Sequence, residues 1–188
     1  MTTCMEAGVD EVGRGPIAGP VCSAAVILPE SYSLEGLTDS KKLSEKKREY
    51  LFEAVKEQAV AYGIGWASEE EIDSINILQA TFLSMKRAVE ALPIQPSFIY
   101  VDGNASPGFS VPSKSIVKGD MLVPCISAAS ILAKVTRDRL MKKYAEQFPE
   151  YGFDKHKGYP TAFHLSAIRA FGPIDIHRKS FAPVQELI

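Results

Sequence analysis

The sequence predicts an α/β domain: a mixed central sheet flanked by helices, carrying a small helical C-terminal extension over residues 145–188. Three observations point there. Strand-like runs come first and are followed by alternating helix and strand patterns, the order of a layered α/β architecture. Val60, Tyr62, Ile64 and Trp66 recur with the two-residue period of a strand. Leu78, Phe82, Met85, Val89 and Leu92 recur at four-three-four-three spacing, the stripe of an amphipathic helix. At 188 residues and 46% hydrophobic content, the chain is long enough to bury a core without disulfide staples. No repeat, low-complexity tract or linker divides it, so residues 1–188 are expected to form a single domain.

The elements follow in order. Ala7–Val12 and Val21–Leu28 read as the first two strands, joined by a GRGPIAGP loop. Ser44 is a suitable N-cap for a helix that turns Leu51 and Val55 inward. Val60–Trp66 is the third strand. Ser68 and Glu71 form a capping box that opens a short acidic helix, after which the Leu78–Leu92 helix runs until Pro93 stops it. Ser97–Val101 is a buried strand ending on Asp102-Gly103-Asn104, and Ser115–Val117 a shorter one ending on Lys118-Gly119-Asp120. A long helix follows Pro124, with Ala128, Ile131, Leu132 and Val135 facing inward. Tyr159-Pro160-Thr161 starts the last helix, whose apolar residues are Leu165, Ile168 and Phe171 and whose stop is Gly172-Pro173.

Composition narrows the function classes. The formal net charge is −2, so any attraction to nucleic acid must be local. Cys4, Cys22 and Cys125 are odd in number and include no CxxC pair, which predicts reduced thiols and argues against a zinc site. Acids near the N-terminus replace the apolar run a signal peptide needs, and no stretch approaches a membrane span. A cytoplasmic protein is expected, nucleoid-associated if its substrate is DNA.

The most informative run is GVDEVGRGPIAGP, residues 8–20. Asp10 and Glu11 repel one another unless a divalent cation neutralises them. Gly13 and Gly15 let the backbone around Arg14 approach a ligand that a Cβ would hold off. Asp102 and Asp120 also fall beside strand ends and glycine turns, where residues distant in sequence converge. Carboxylates gathered in this way repel by roughly 4 kcal/mol per close pair at an effective dielectric of about 20. Magnesium or manganese removes that penalty, and two such ions about 4 Å apart clamp an in-line phosphoryl displacement. Neighbouring strand residues face opposite ways, so Glu11 can share a metal with Asp10 only if the strand bends there, or through its carbonyl or longer arm; the bend is favoured because Gly13 follows. Taken singly, each feature also has a structural reading. Asp102 and Asp120 fit turn acids, Arg14 a solvated side chain, Lys41 and Lys42 a wet face. His156, His164 and His177 lack metal-ligand spacing and are expected to be structural or surface residues, and Cys125 a small core residue. Their joint occurrence favours a site for phosphodiester chemistry.

The ordered motifs GVDEVGRGPIAGPV, LTDSKKLSEKKRE, INILQATFLSMKRAV, YVDGN, SIVKGD, SAASILAKVTRDR, HKGYPT and HRKSFAPV make the chain similar, almost end to end, to bacterial ribonuclease HII, a type 2 ribonuclease H family. The resemblance implies a ribonuclease H-like fold. It also implies an endonuclease that hydrolyses the RNA strand of RNA–DNA hybrids and cuts 5′ to single ribonucleotides in duplex DNA, leaving 3′-hydroxyl and 5′-phosphate ends. Carried over by position, it assigns Asp10, Glu11, Asp102 and Asp120 as catalytic metal ligands for two manganese or magnesium ions. Asp10 is expected to bridge the ions, with Asp102 and Asp120 on opposite sides. Gly13, Arg14 and Gly15 become the loop that grips the 2′-OH and phosphates, Tyr159 the reader of the RNA–DNA junction, and Lys41 and Lys42 candidate phosphate contacts. Asp138 is a rival for the fourth ligand, set aside because it lies in a helix beside Arg137 and Arg139, where an intrahelical pair explains it. A monomer is expected.

Two departures stand out: Cys125 replaces a more polar lead into SAAS, and the chain ends soon after SFAPV, which implies a weaker grip on the duplex. The absence of a preceding platform domain, with GRG intact, argues against ribonuclease HIII. Two rivals remain. A resolvase or exonuclease of the same carboxylate superfold differs by cutting all-DNA duplex, and a binding module with structural acids differs by binding that survives EDTA.

Overall fold

The structure is a computed structural model and describes residues 5–188; Cys4 and the start of the acidic N-terminal segment lie outside the described residues. Five strands form one sheet in the order β3-β2-β1-β4-β5. They are β1 (Glu6–Val12), β2 (Val21–Ile27), β3 (Ala61–Ala67), β4 (Phe98–Asp102) and β5 (Ser113–Ile116). The first three are antiparallel, whereas β4 and β5 run parallel to β1, so the sheet is mixed.

Helices cover both faces. On one, α1 (Glu45–Gln58) and α4 (Pro124–Gln147) bury Leu51, Phe52, Val55, Ala128, Ile131, Leu132 and Val135 against Cys22, Ala24 and Val26. Ser44 caps α1 by accepting the Lys47 amide at 3.3 Å. On the other, α2 (Glu69–Glu90) covers Ala7, Val9, Ile99 and Val101. The Ser68–Glu71 capping box is present, and the two expected helices are continuous except at Asn76, whose backbone is left-handed (φ 68°). There the Asn76 side chain accepts the Leu78 and Gln79 amides and serves as a second N-cap.

The buried face of α2 differs from the large apolar stripe. Ala80, Thr81, Ser84, Met85 and Ala88 are buried, whereas Leu78 is 42% exposed. The cause lies in β3, where a Cβ on Gly65 would sit 2.1 Å from the Ser84 carbonyl oxygen. Helix and sheet touch backbone to backbone, so only small residues fit between them. The alternation of β3 holds, but its fully buried face is Ala61, Gly63, Gly65 and Ala67.

Strand β5 starts and ends earlier than expected. Its end frees Lys118 to take a left-handed conformation (φ 58°), and the one-turn helix α3 (Gly119–Leu122) follows. The C-terminal part contains α5 (Phe153–His156), α6 (Ala162–Phe171) and α7 (Ala182–Gln185). Tyr151, Phe153, Ala167, Ile168 and Val184 form their own apolar cluster around Ile17, Ala18 and Met141. Thr161 caps α6. Phe171 is 62% exposed, against expectation, because the buried positions of that short helix are taken by His164, Ala167 and Ile168.

Candidate active site

Asp10 and Asp102 lie one residue beyond the Val9–Val101 pair on adjacent parallel strands, which places their side chains together at the same sheet end. Carboxylate oxygens of Asp10, Glu11 and Asp102 all come within 4.8 Å of one another. The expected bend at Glu11 is absent: β1 stays paired to β2 through Val12. The ladder with β4 stops at Val9, however, and the Asp10 carboxylate curls back to accept the Glu11 amide at 2.7 Å. The longer Glu11 arm therefore closes the gap without a bend.

Asp120 borders this trio from the first turn of α3 rather than from a strand end. Its amide donates to Asp102 Oδ1 at 3.2 Å, and Ser127 Oγ on α4 holds its carbonyl at 2.7 Å. The Asp120 carboxylate lies beside Asp39, a residue that sequence reasoning missed because it precedes a 3₁₀ turn rather than a strand.

Electrostatically the pocket is expensive. Asp10, only 5% exposed, has its pKa pushed well above the usual carboxylate range by burial, then by Glu11 and Asp102, with Asp120 adding to them. Burial also raises Glu11, partly offset by Arg14, whose guanidinium lies 3.7 Å away. Asp120 is raised by burial, Asp102 and Asp39. Lys41 faces this charge: burial lowers its pKa, but Asp10, Asp39, Asp120 and Glu11 raise it further. Ser40 pins that turn to α4 through Ser130 (2.8 Å). Lys42 turns aside, with Nζ 3.5 Å from Met121 Sδ. A cluster of buried, mutually repelling oxygen donors fits a hard divalent cation. Beside it a cleft of 130 Å3 is lined by Glu11, Arg14, Leu78, Phe82, Asp102 and Asn104, which accounts for the exposure of Leu78.

The structure also joins the GRG loop to Tyr159. A Cβ on Gly15 would sit 3.0 Å from the Tyr159 ring, so glycine allows that contact, and Tyr159 remains 47% exposed. The Tyr159 carbonyl accepts from His164 Nδ1 at 2.9 Å. His164 Nε2 in turn lies 3.0 Å from His177 Nε2, and His177 Nδ1 accepts the Ile174 amide at 2.9 Å, which assigns the proton between the rings to His177. The three histidines are structural, as expected, but they form one cluster, with His156 stacked on His164 at 4.3 Å. Burial pushes His164 and His177 down to about 4. Asp138 is paired within its helix, with Lys134 at 2.9 Å rather than with the flanking arginines. Arg137 is buried and serves the GRG loop, and Arg139 reaches Glu49 and Glu53 on α1. Cys125 sits on the first turn of α4, half-buried, its thiol raised to about 11 by burial; nothing in the structure explains why cysteine stands there.

Sequence and fold comparisons agree with this geometry. The family model described as Ribonuclease HII matches residues 7–184. Ribonuclease HII of Shewanella halifaxensis (strain HAW-EB4) is 58% identical over 182 residues, covering 97% of this chain and 90% of that protein. Ribonuclease HII of Burkholderia mallei (strain SAVP1) is 58% identical over 179 residues, covering 95% and 84%. The solved structure of ribonuclease H2 from Pyrococcus horikoshii OT3 superposes with a TM-score of 0.80 at 29% identity, covering 97% of this chain and 96% of that one. The chain therefore belongs to the ribonuclease HII family and is a metal-dependent nuclease.

Proposed function

We propose that this protein cuts the RNA strand of RNA–DNA hybrids and cleaves 5′ to single ribonucleotides embedded in duplex DNA, leaving 3′-hydroxyl and 5′-phosphate ends. One observation carries the reading: the carboxylates of Asp10, Glu11 and Asp102 converge within 4.8 Å, next to the loop that touches Tyr159. Asp10, Glu11, Asp102 and Asp120 would hold two manganese or magnesium ions. Asp10 would be shared, with Glu11 and Asp102 on one side and Asp120 on the other. Bound there, the ions supply Lewis acidity, lowering the pKa of a water and offsetting charge on the leaving oxygen. The chain's own groups orient the substrate. Arg14 and the amides around it take the phosphate and 2′-OH of the ribonucleotide, the group that distinguishes RNA from DNA. Tyr159 packs its exposed ring on the following deoxyribose. Lys41 contributes positive charge beside the acids, and Lys42 contacts the backbone further out.

Residues 1–188 would act as one catalytic unit, as a monomer, in the cytoplasm. No helix among the described residues is long and apolar enough to cross a membrane. The test is a labelled duplex with one embedded ribonucleotide beside an all-DNA duplex, incubated with magnesium or manganese. A single cut 5′ to the ribonucleotide with a 3′-hydroxyl is expected. A cyclic 2′,3′-phosphate end, or equal cutting of the all-DNA duplex, contradicts the reading.

A further inference from the structure

Residues 13–20, the loop bearing Arg14, are held from behind by two buried arginines that the proposed chemistry does not use. Arg178 Nη2 donates to the Gly13 carbonyl at 2.5 Å, and Nη1 donates to those of Arg14 at 3.1 Å and Pro16 at 2.7 Å. Its Nε and Nη2 both reach the Gly19 carbonyl, at 2.9 and 2.7 Å. Arg137 Nε takes the Pro20 carbonyl at 2.9 Å and Nη2 that of Ala18 at 3.0 Å. The Ile17 carbonyl accepts the Arg178 amide at 2.8 Å. Every carbonyl from Gly13 to Pro20 except that of Gly15 is thus drawn inward.

A planar trans peptide points its N–H opposite to its C=O. With the Gly13 and Arg14 carbonyls drawn inward, the amides of Arg14 and Gly15 face outward. Consecutive outward amides form an anion-binding nest, here with two guanidinium charges behind it. The glycine at position 13 suits this arrangement, since a Cβ there would lie 2.3 Å from Arg137 Nε.

The support reaches back to α2. Asp73 accepts the Lys179 and Ser180 amides, each at 2.9 Å, which fixes the segment carrying Arg178. Glu69, at the start of the same helix, supplies negative charge near both arginines, and its Oε1 is buried without a hydrogen-bond partner among the described residues. The same helix lines the cleft beside the acids through Leu78 and Phe82.

We propose that Arg178, backed by Arg137, is a positioning residue that turns the Arg14 and Gly15 amides toward the ribonucleotide, setting affinity for the 2′-OH-bearing strand rather than the rate of the chemical step. The assignment rests on the loop reading given under the proposed function. Its test compares wild type with Arg178→Lys in steady-state kinetics on a single-ribonucleotide duplex with manganese. In parallel, duplex binding is measured by fluorescence anisotropy in EDTA and manganese binding by calorimetry. Losing two well-placed hydrogen bonds should raise KM and weaken duplex binding about ten-fold. The same variant should keep kcat and manganese affinity, because the acids lie elsewhere.

A fall in kcat at constant KM, or unchanged duplex binding, overturns the assignment. Should Arg178→Lys fail to fold, Asp73→Asn decides, since it loosens the same segment without removing a guanidinium. A higher KM at constant kcat supports the proposal, and an unchanged KM in the folded variant overturns it. The two readings fail separately. A wild type that leaves the ribonucleotide duplex uncut defeats the proposed function, whereas equal binding by wild type and Arg178→Lys defeats the loop assignment.

Discussion

The acid pocket and the loop beside it solve opposite electrostatic problems within a few residues of each other. At the pocket, buried carboxylates face one another, offset by the half-exposed Arg14 and the Lys41 ammonium. In the loop, two buried cations are surrounded by carbonyl oxygens, nearly every one accepting a hydrogen bond. A region whose charges repel is incomplete until a ligand arrives, whereas one whose polar groups are already paired is scaffold. The first costs stability in the metal-free protein; in the second, hydrogen bonds to the loop carbonyls offset the cost of burying two guanidiniums, a cost visible in burial pushing both arginine pKa values down.

The sharpest way to break that contrast is Asp10→Asn. It should abolish cleavage and manganese binding while leaving the protein folded. The sign for stability follows from the raised carboxyl pKa. A folded-state pKa above the unfolded value means that the folded protein holds its proton more tightly, so the ionised cluster destabilises the fold at neutral pH. The variant should therefore melt a few degrees higher than the metal-free wild type. Calorimetry and activity on the same sample check this, and a lower melting temperature would contradict the incomplete-pocket reading.

Acid should act next, on the satisfied side. His164 and His177 have pKa values of about 4 when folded and an ordinary value near 6.5 when unfolded. The unfolded chain binds more protons between those values, so this stability is fully present above about 6.5 and is lost as pH falls toward 4. The loss is at most roughly 3 kcal/mol per histidine, and denaturant melts across that window measure it. A flat profile would show that burial does not hold the rings neutral.

Smaller effects sharpen the picture. Tyr159→Ala should lower the preference for the single-ribonucleotide duplex over a long hybrid about ten-fold, one lost stacking contact. Relative kcat/KM values read it, and equal losses on both substrates would remove the junction role. Asp138→Asn breaks the 2.9 Å pair with Lys134 and removes a negative charge near Arg137, Lys142 and Lys157. It should cost about 1–2 kcal/mol and leave activity intact; a dead but folded variant would reopen its claim to the metal site.

Much of this arrangement is legible in the sequence because strands and glycine turns leave local marks. Asp10 and Asp102 follow apolar strand residues, and their convergence requires only that two parallel strands pair. Asp120 is visible for the wrong reason: it stands beside a glycine, yet reaches the site from a one-turn helix after β5 ends early. Other parts leave no local trace. Arg178 meets carbonyls more than 150 residues away in sequence, with Gly19 at a separation of 159, and no periodicity encodes such a contact. The inner face of α2 is equally silent, because its close approach to Gly63 and Gly65 selects small residues where a helical stripe advertises large ones. Asp39 and the histidine cluster depend likewise on side chains that only the folded chain assembles.

The proposed function requires that the pocket's repulsion be cancelled by two divalent ions shared at Asp10. Anomalous diffraction from crystals grown with manganese and an uncleaved ribonucleotide-containing duplex measures it directly. Two manganese peaks are predicted, both within bonding distance of Asp10, one also touching Glu11 or Asp102 and the other Asp120. Crystals holding the bound duplex with no manganese at Asp10 would contradict it.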